Sequence, residues 1–214
     1  MINHDHTKEW WDNFWKNPEQ HFGEPRQSLI DVVENHTRAL ENKESVLLVD
    51  IGSGNGRYAI PFALLGYDTT AIEKSDTACE IISQRASREG VDVTILHNDI
   101  LSLDLQADRT FDIVFSSGLI EEIDSEDQLT AVDHIKRLTK NNGLLVLKYC
   151  LEIKDRGVTV KEGLIGPLFS NDPEWEVQSI ETDPEMRESN ATIDFENRLR
   201  TETIIAFRRF VARS

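Results

Sequence analysis

From Ser45 onward, short apolar runs alternate with stretches whose apolar residues recur every three or four positions. The runs are read as strands at 46–50, 68–73, 92–97, 111–116 and 144–150, and the periodic stretches as helices at 55–65, 76–89 and 125–139. Strands and helices in alternation with short connections predict an α/β fold, a parallel sheet covered by helices on both faces. The turn Asn141-Asn142-Gly143 introduces the fifth strand, and after Cys150 the rhythm changes. Residues 151–174 hold Gly157, Gly163, Gly166, Pro167 and Pro173 with little period, which predicts an insertion or lid over the sheet edge. Two further strands follow at 175–182 and 201–210, joined by an acidic stretch that includes Asp183-Pro184. That link shows no clear crossover helix, so the two strands are expected to pair antiparallel.

Ahead of the sheet, Trp10, Trp11, Phe14, Trp15 and Phe22 crowd into the first 23 residues. The spacings Trp10–Phe14 and Trp11–Trp15 place aromatic rings on adjoining faces of an amphipathic helix. Gly23-Glu24-Pro25 is expected to break it, and Ser28 to cap a second helix over 29–40 that packs through Leu29, Ile30, Val32 and Val33. The chain therefore reads as one domain over 1–214, with a helical cap at 1–44, a core at 45–150, and a lid segment plus final strands at 151–214.

At 214 residues and 39% hydrophobic content, the chain can bury one full core and is short for two. Its 39 acids against 23 bases give a formal charge of -16, which disfavours nucleic acid and anionic membranes as partners. The one basic cluster, Arg208, Arg209 and Arg213, reads as the solvated end of the last strand. No apolar run approaches the roughly 18–20 residues that cross a bilayer, and Met1 to Trp11 is unlike a signal peptide, so a cytoplasmic location is the default. Cys79 and Cys150 lie far apart and outside any metal-binding pattern, which predicts free thiols.

The chemistry concentrates where strands end. Val46-Leu47-Leu48-Val49-Asp50-Ile51-Gly52-Ser53-Gly54-Asn55-Gly56 is an apolar strand closed by an acid and a glycine turn, in which the backbone can approach a ligand closely. The dinucleotide pattern wants a glycine or alanine where Arg57 stands, and Asp50 would repel a pyrophosphate, so a nicotinamide enzyme is a distant alternative. The same acid suits a ligand carrying an ammonium group. Glu73, at the end of the second strand and about 20 residues on, is placed to accept both hydroxyls of a ribose. Asp99 ends the third strand, where it can accept from an adenine amino group while Ile100 covers the ring. Ser116-Ser117-Gly118-Leu119-Ile120-Glu121-Glu122-Ile123-Asp124 ends the fourth, so four strand ends converge on one ligand.

In that order, Val-Asp-Ile-Gly-Ser-Gly-Asn-Gly, an acid, Asn-Asp-Ile and Phe-Asp-Ile-Val-Phe-Ser-Ser-Gly-Leu-Ile-Glu, the chain resembles the class I S-adenosylmethionine-dependent methyltransferase family over roughly residues 45–150. The resemblance implies a Rossmann-like seven-stranded sheet ordered 3-2-1-4-5-7-6 with the last strand antiparallel. It implies S-adenosylmethionine as cofactor, with Asp50, Gly52, Ser53 and Gly54 at its amino-acid part, Glu73 and neighbouring Lys74 at the ribose, Asp99 and Ile100 at the adenine, and Ser116 near the methionine. Many small-molecule relatives carry Glu-His where this chain has Glu121-Glu122, so a histidine base is not implied here. Some relatives hold a divalent metal with an acid pair in this loop; Glu121, Glu122 and Asp124 read instead as a solvated acidic loop, and no metal is assigned. The stretch Trp11-Asp12-Asn13-Phe14-Trp15, then His21-Phe22-Gly23 and Pro25, is loosely similar to the entry segment of thiopurine, thiol and tellurite-type methyltransferases, which folds over the cofactor.

Methyl transfer from a sulfonium is an in-line displacement that asks the protein for alignment and exclusion of water. A sulfur nucleophile needs little more, whereas a hydroxyl or amine needs a base, for which His21, His97, Glu121 and Tyr149 are the candidates. His134, in mid-helix, reads as a surface residue. The expected acceptor is a small molecule in a pocket formed by the aromatic helix, the loop after the fourth strand and residues 151–174, with Trp11, Trp15, His21, Glu121 and Tyr149 as its contacts. The alternatives are a protein acceptor docked on the acidic surface, or a cofactor-binding regulatory or assembly protein without turnover. Neither the acceptor nor the oligomeric state follows from these residues.

Overall fold

In a computed structural model the described residues are 7–17, 22–38, 40, 42–103, 110–153, 157–183 and 198–210. Helices α1 (Lys8–Trp15) and α2 (Gln27–Thr37) precede β1 (Leu47–Ile51), α3 (Ala59–Leu64), β2 (Asp68–Glu73), α4 (Asp76–Glu89) and β3 (Thr94–His97). Then come β4 (Phe111–Ser117), α5 (Gln128–Leu138), β5 (Thr139–Ile153), β6 (Gly157–Val158), α6 (Pro167–Ser170), β7 (Trp175–Asp183) and β8 (Arg198–Arg208). The main sheet runs β3-β2-β1-β4-β5-β8-β7, with the short β6 hydrogen-bonded to β5. β1 through β5 pair in parallel, and β8 lies antiparallel between β5 and β7. This is the seven-stranded order 3-2-1-4-5-7-6 that the resemblance implied.

Strand alternation divides the core in two. Val49, Ile51, Leu145, Leu147 and Tyr149 face α5, whereas Leu48, Ile113, Phe115, Leu144 and Val146 face α2 and α3. Local signals set most boundaries. Ser75 caps α4 by accepting from the Ala78 amide at 3.2 Å, and Gly90 closes that helix in the left-handed conformation.

Several boundaries differ from expectation. Helix α3 begins at Ala59 because Ser53–Tyr58 stays in turns, and its first amide is held by Asp50, whose Oδ2 accepts from Ala59 N at 3.1 Å. Ser28 caps nothing: α2 starts at Gln27 behind Arg26, without a side-chain cap, and ends at Thr37. Helix α1 stops at Trp15, well before Gly23. Asn141-Asn142-Gly143 is an irregularity inside the longer β5, where pairing with β4 shifts between Phe111 and Ile113 and Asn142 takes φ 64°.

Two further readings are corrected. Residues 157–174 form no lid over the cavity described below; Val160, Ile165 and Phe169 are buried in the α5-side core, which pulls the segment onto the sheet. Arg208 is no solvated strand end either, since it is buried and donates to the carbonyls of Lys136 and Thr139 at 3.0 and 3.2 Å and to Glu174 at 2.6 Å. Arg213 and the link after Asp183 lie outside the described residues. Cys79 and Cys150 are free thiols. Among the described residues no helix is long and apolar enough to cross a membrane.

Candidate active site

Parallel strands end at one edge, and there the ends of β1, β2, β3 and β4 enclose a cavity of about 280 Å³. Helix α1 lies across it. The rings of Trp11 and Trp15 stack at 6.3 Å, those of Trp10 and Phe14 at 5.4 Å, and Phe22 packs 5.5 Å from Trp15. Trp11, Trp15 and Phe22 line the cavity. Trp15 rests on the glycine turn: a Cβ on Gly54, whose φ is +54°, would come within 2.8 Å of its Cζ2. The helix is fastened by Asp12, whose Oδ1 accepts from the Ser75 hydroxyl at 2.6 Å and the Thr77 amide at 3.2 Å. Lys8 joins Asp12 at 2.9 Å and also bonds Asp76.

The expected cofactor residues Asp50, Gly52, Ser53, Gly54, Glu73, Lys74, Asp99 and Ile100 all line this one cavity. Asp50 is buried, and desolvation pushes its carboxyl up to about 7 against the pull of the Ala59 amide. Glu73 is buried too, and its oxygens accept from the amides of Gly54, Lys74 and Ser75 at 2.8–2.9 Å. Burial raises Glu73, while those amides act to lower it. The Asp99 Oδ1 accepts from the Leu101 amide at 2.9 Å, and its other oxygen lies 3.8 Å from Lys74 Nζ.

Ser116 does not reach the cavity. Its hydroxyl donates to Ile51 O at 3.0 Å, fully buried between β4 and β1, and the cavity wall is made by Ser117. One position along a strand reverses the side chain's face, which is the whole of the difference.

Of the expected acceptor contacts, Trp11, Trp15, Glu121 and Tyr149 line the cavity, and His21 lies outside the described residues. Glu121 is buried. The Tyr149 hydroxyl bonds to the buried Glu202 across the β5–β8 ladder; desolvation first, then the Glu202 bond and the charge of Glu121, push its pKa far up. Tyr149 is therefore a neutral donor at physiological pH and unsuited to be a base. His97 lies outside the cavity wall, half exposed, 3.0 Å from Lys74 O and 3.1 Å from Asp76. His134 is a half-buried tie, its Nδ1 2.7 Å from Ile100 O, which links α5 to the loop after β3. Among the described residues no group of three or more His, Cys, Asp or Glu is arranged to hold a metal ion.

Lys148, Arg57, Tyr58 and Leu119 also line the cavity and were not anticipated. The signal for Lys148 was present in the sequence, a single cation in the otherwise apolar run Leu144-Leu145-Val146-Leu147-Lys148-Tyr149-Cys150. Arg57 donates to the Phe22 carbonyl and, at 3.1 Å, to the Tyr58 hydroxyl, tying the glycine turn to the segment after α1.

The sheet order and a cavity at the carboxyl ends of its first four strands define a doubly wound α/β protein built to bind a ligand at that edge. A family model described as "Methyltransferase domain" matches residues 49–147. Over its central strands and helices the chain is similar to class I S-adenosylmethionine-dependent methyltransferases. It is 29% identical over 148 residues to a ubiquinone biosynthesis O-methyltransferase of Rickettsia felis, covering 67% of this chain and 57% of that protein. A protein of the same name from Rickettsia conorii is 30% identical over 152 residues, 69% of this chain and 48% of its own. The chain thus spans about half the length of these curated relatives. The structure of magnesium protoporphyrin IX methyltransferase from Synechocystis PCC 6803, with bound S-adenosylhomocysteine, superposes with a TM-score of 0.70 at 16% identity, covering 94% of this chain and 97% of that one.

Proposed function

We propose that the protein transfers a methyl group from S-adenosylmethionine to a small-molecule acceptor. The observation that carries this reading is the convergence of Asp50, Gly52, Gly54, Glu73, Asp99 and Ile100 on one cavity roofed by Trp11 and Trp15. The donor set fits the cofactor: a buried carboxylate for an ammonium, an acid held by three amides for a ribose, and an acid beside an apolar side chain for an adenine. The turn leaves no room for side chains at Gly52 or Gly54, where a Cβ would meet Leu119 at 3.0 Å or Trp15 at 2.8 Å.

When bound, the cofactor supplies an electrophilic methyl group on a sulfonium. The chain's part is positioning. Trp11, Trp15 and Phe22 exclude water from the cavity and offer ring faces to a cation. Asp50 orients the amino-acid end and Glu73 the ribose, which fixes the line of attack. The relatives' names favour an oxygen acceptor, which must lose a proton. Tyr149 and His97 are set aside by the geometry above and His21 lies outside the described residues, which leaves Glu121, buried in the cavity wall after β4, as the candidate base among those named from the sequence.

Parallel calorimetric titrations with S-adenosylmethionine, S-adenosylhomocysteine and NAD test the cofactor, and a screen of phenols, thiols and amines for S-adenosylhomocysteine formation tests turnover. Micromolar binding of the first two compounds alone, with turnover of one acceptor class, is expected. Binding without turnover of any acceptor would favour a regulatory protein, and tighter binding of NAD would refute the cofactor assignment.

A further inference from the structure

On the α5 side of the sheet, β5 and β8 face each other in a short row of pairs: Leu145 opposite Ala206, Leu147 opposite Ile204, and Tyr149 opposite Glu202. The first two pairs are apolar and fully buried. The third puts a phenol and a carboxylate into the same dry layer, and it is the pair that reaches the cavity: Tyr149 is part of the cavity wall, whereas Glu202 stands behind it, 5% exposed. The Tyr149 hydroxyl is bonded to Glu202. Of the other charges felt there, Glu121, from the loop after β4, acts on the Tyr149 hydroxyl, and Arg200, two places along β8, is held by Glu162 at 2.7 and 2.9 Å. An apolar residue would pack the Glu202 position without the cost of burying a charge. A carboxylate in such a layer is stabilised by taking up a proton.

We propose that Glu202 takes up, through Tyr149, the proton that an oxygen acceptor loses when it is methylated. The assignment rests on the methyl-transfer reading above, and adds to it a residue that does not touch the acceptor. The step balances. A lone pair on the acceptor oxygen forms the new C–O bond as the methyl–sulfur bond breaks and its electron pair stays on sulfur. The acceptor's proton passes to the Tyr149 oxygen while the Tyr149 proton passes to Glu202. Tyr149 ends as it began, a neutral phenol, so the resistance to ionisation that disqualifies it as a base is no obstacle to a relay. The positive charge of the sulfonium and the negative charge of Glu202 disappear together, and no new charge is left in a site closed to water. Once the product has left, the same two transfers in reverse return the proton.

The test has two readouts, the first without any ligand. In proton NMR of the ligand-free protein, which has three tyrosines, one slowly exchanging hydroxyl resonance is expected downfield of the amides, deleted in Tyr149→Phe and moved in Glu202→Gln. The second readout is turnover of two probes: catechol, whose hydroxyl must give up a proton, and benzenethiol, which is ionised above neutral pH and brings none. Glu202→Gln keeps a hydrogen-bond acceptor but cannot store the proton. It is expected to lower kcat for catechol by about 100-fold, with KM for catechol, affinity for S-adenosylhomocysteine and turnover of benzenethiol each within about 2-fold of the wild type. Tyr149→Phe is expected to show the same selectivity, and the retained S-adenosylhomocysteine affinity separates both variants from misfolding. Equal losses for the two probes, a loss for neither, or a catechol-selective loss in Glu121→Gln but not in Glu202→Gln overturns the proposal. So does a missing hydroxyl resonance, or a wild-type protein that methylates benzenethiol alone. Failure of the wild-type protein to bind S-adenosylhomocysteine, or to turn over either probe, would instead strike the proposed function.

Discussion

Replacing Asp12 by alanine should loosen the aromatic helix from the rest of the protein. Helix α1 has one fully buried side chain, Trp15, so its docking depends heavily on polar fastening. The Asp12 carboxylate takes a short bond from the buried Ser75 hydroxyl and a longer one from the Thr77 amide. Charge-assisted bonds of this kind contribute about 1.5–3 kcal/mol when both partners stay dry. Asp12 is partly solvated and the second bond is long, so about 2 kcal/mol for the pair is a reasonable total. That amount lowers the ratio of docked to undocked helix by roughly 30-fold. Burial works to raise Asp12, but the bonds from Ser75, Lys8 and Thr77 outweigh it and hold the carboxyl at about 2. The sign follows: this contribution is fully present above the ordinary carboxylate pKa of about 4 and is lost as pH falls through about 2. Because Trp11 and Trp15 roof the cavity, undocking also opens the cofactor's exit. Hydrogen exchange over residues 8–15 should therefore speed up by about 30-fold in Asp12→Ala, together with a faster release of S-adenosylhomocysteine in stopped-flow tryptophan fluorescence. Exchange within 2-fold of the wild type would show that the rings alone hold the helix and would refute the fastening role.

Three other outcomes are expected. Asp50, raised to about 7, stabilises the ligand-free fold most at pH values below the ordinary carboxylate pKa, and that contribution disappears as pH rises through about 7; cofactor binding needs its ionised form, so affinity should strengthen by about 10-fold between pH 6 and pH 8, and in calorimetry Asp50→Asn should remove this dependence. Gly54→Ala forces a non-glycine residue to a φ of +54° and drives a methyl into Trp15, costing about 1–2 kcal/mol in backbone strain alone; a red-shifted tryptophan emission and lost cofactor binding are expected, and an unshifted spectrum would contradict the packing of Trp15 on the turn. Arg208→Ala removes the bonds to Glu174 and to the carbonyls of Lys136 and Thr139, and should cost about 3 kcal/mol in urea denaturation with cofactor affinity unchanged, whereas a loss under 1 kcal/mol would restore the solvated-end reading.

How much of this was legible depends on whether a property is carried by period or by parity. The strand and helix rhythm and the convergence of four strand ends on one edge follow from apolar patterning, the sheet order was carried by the family resemblance, and β2 and α4 fall on their expected bounds. The start of α3 was not legible, because it is set by Asp50 reaching nine residues along the chain to cap the Ala59 amide, a tertiary bond within a turn. Ser116 and Ser117 are indistinguishable as residue types; only the β1–β4 register decides which hydroxyl is spent between strands and which faces a ligand. The segment after Cys150 misleads for a related reason: its glycines and prolines advertise a loop, yet Val160, Ile165 and Phe169 are apolar enough to be drawn into the core once β5 and β7 offer a surface. Lys148 inverts the case. Its charge inside an apolar strand is visible in the sequence, but the meaning of that charge depends on which face of β5 the register assigns it, and the register turns it toward Tyr58 and Ser117 instead of toward Glu121. A polar residue that breaks a strand's apolar run is therefore a sequence signal worth following in this fold, because burial there is costly and has to be offset by a partner that only the register reveals.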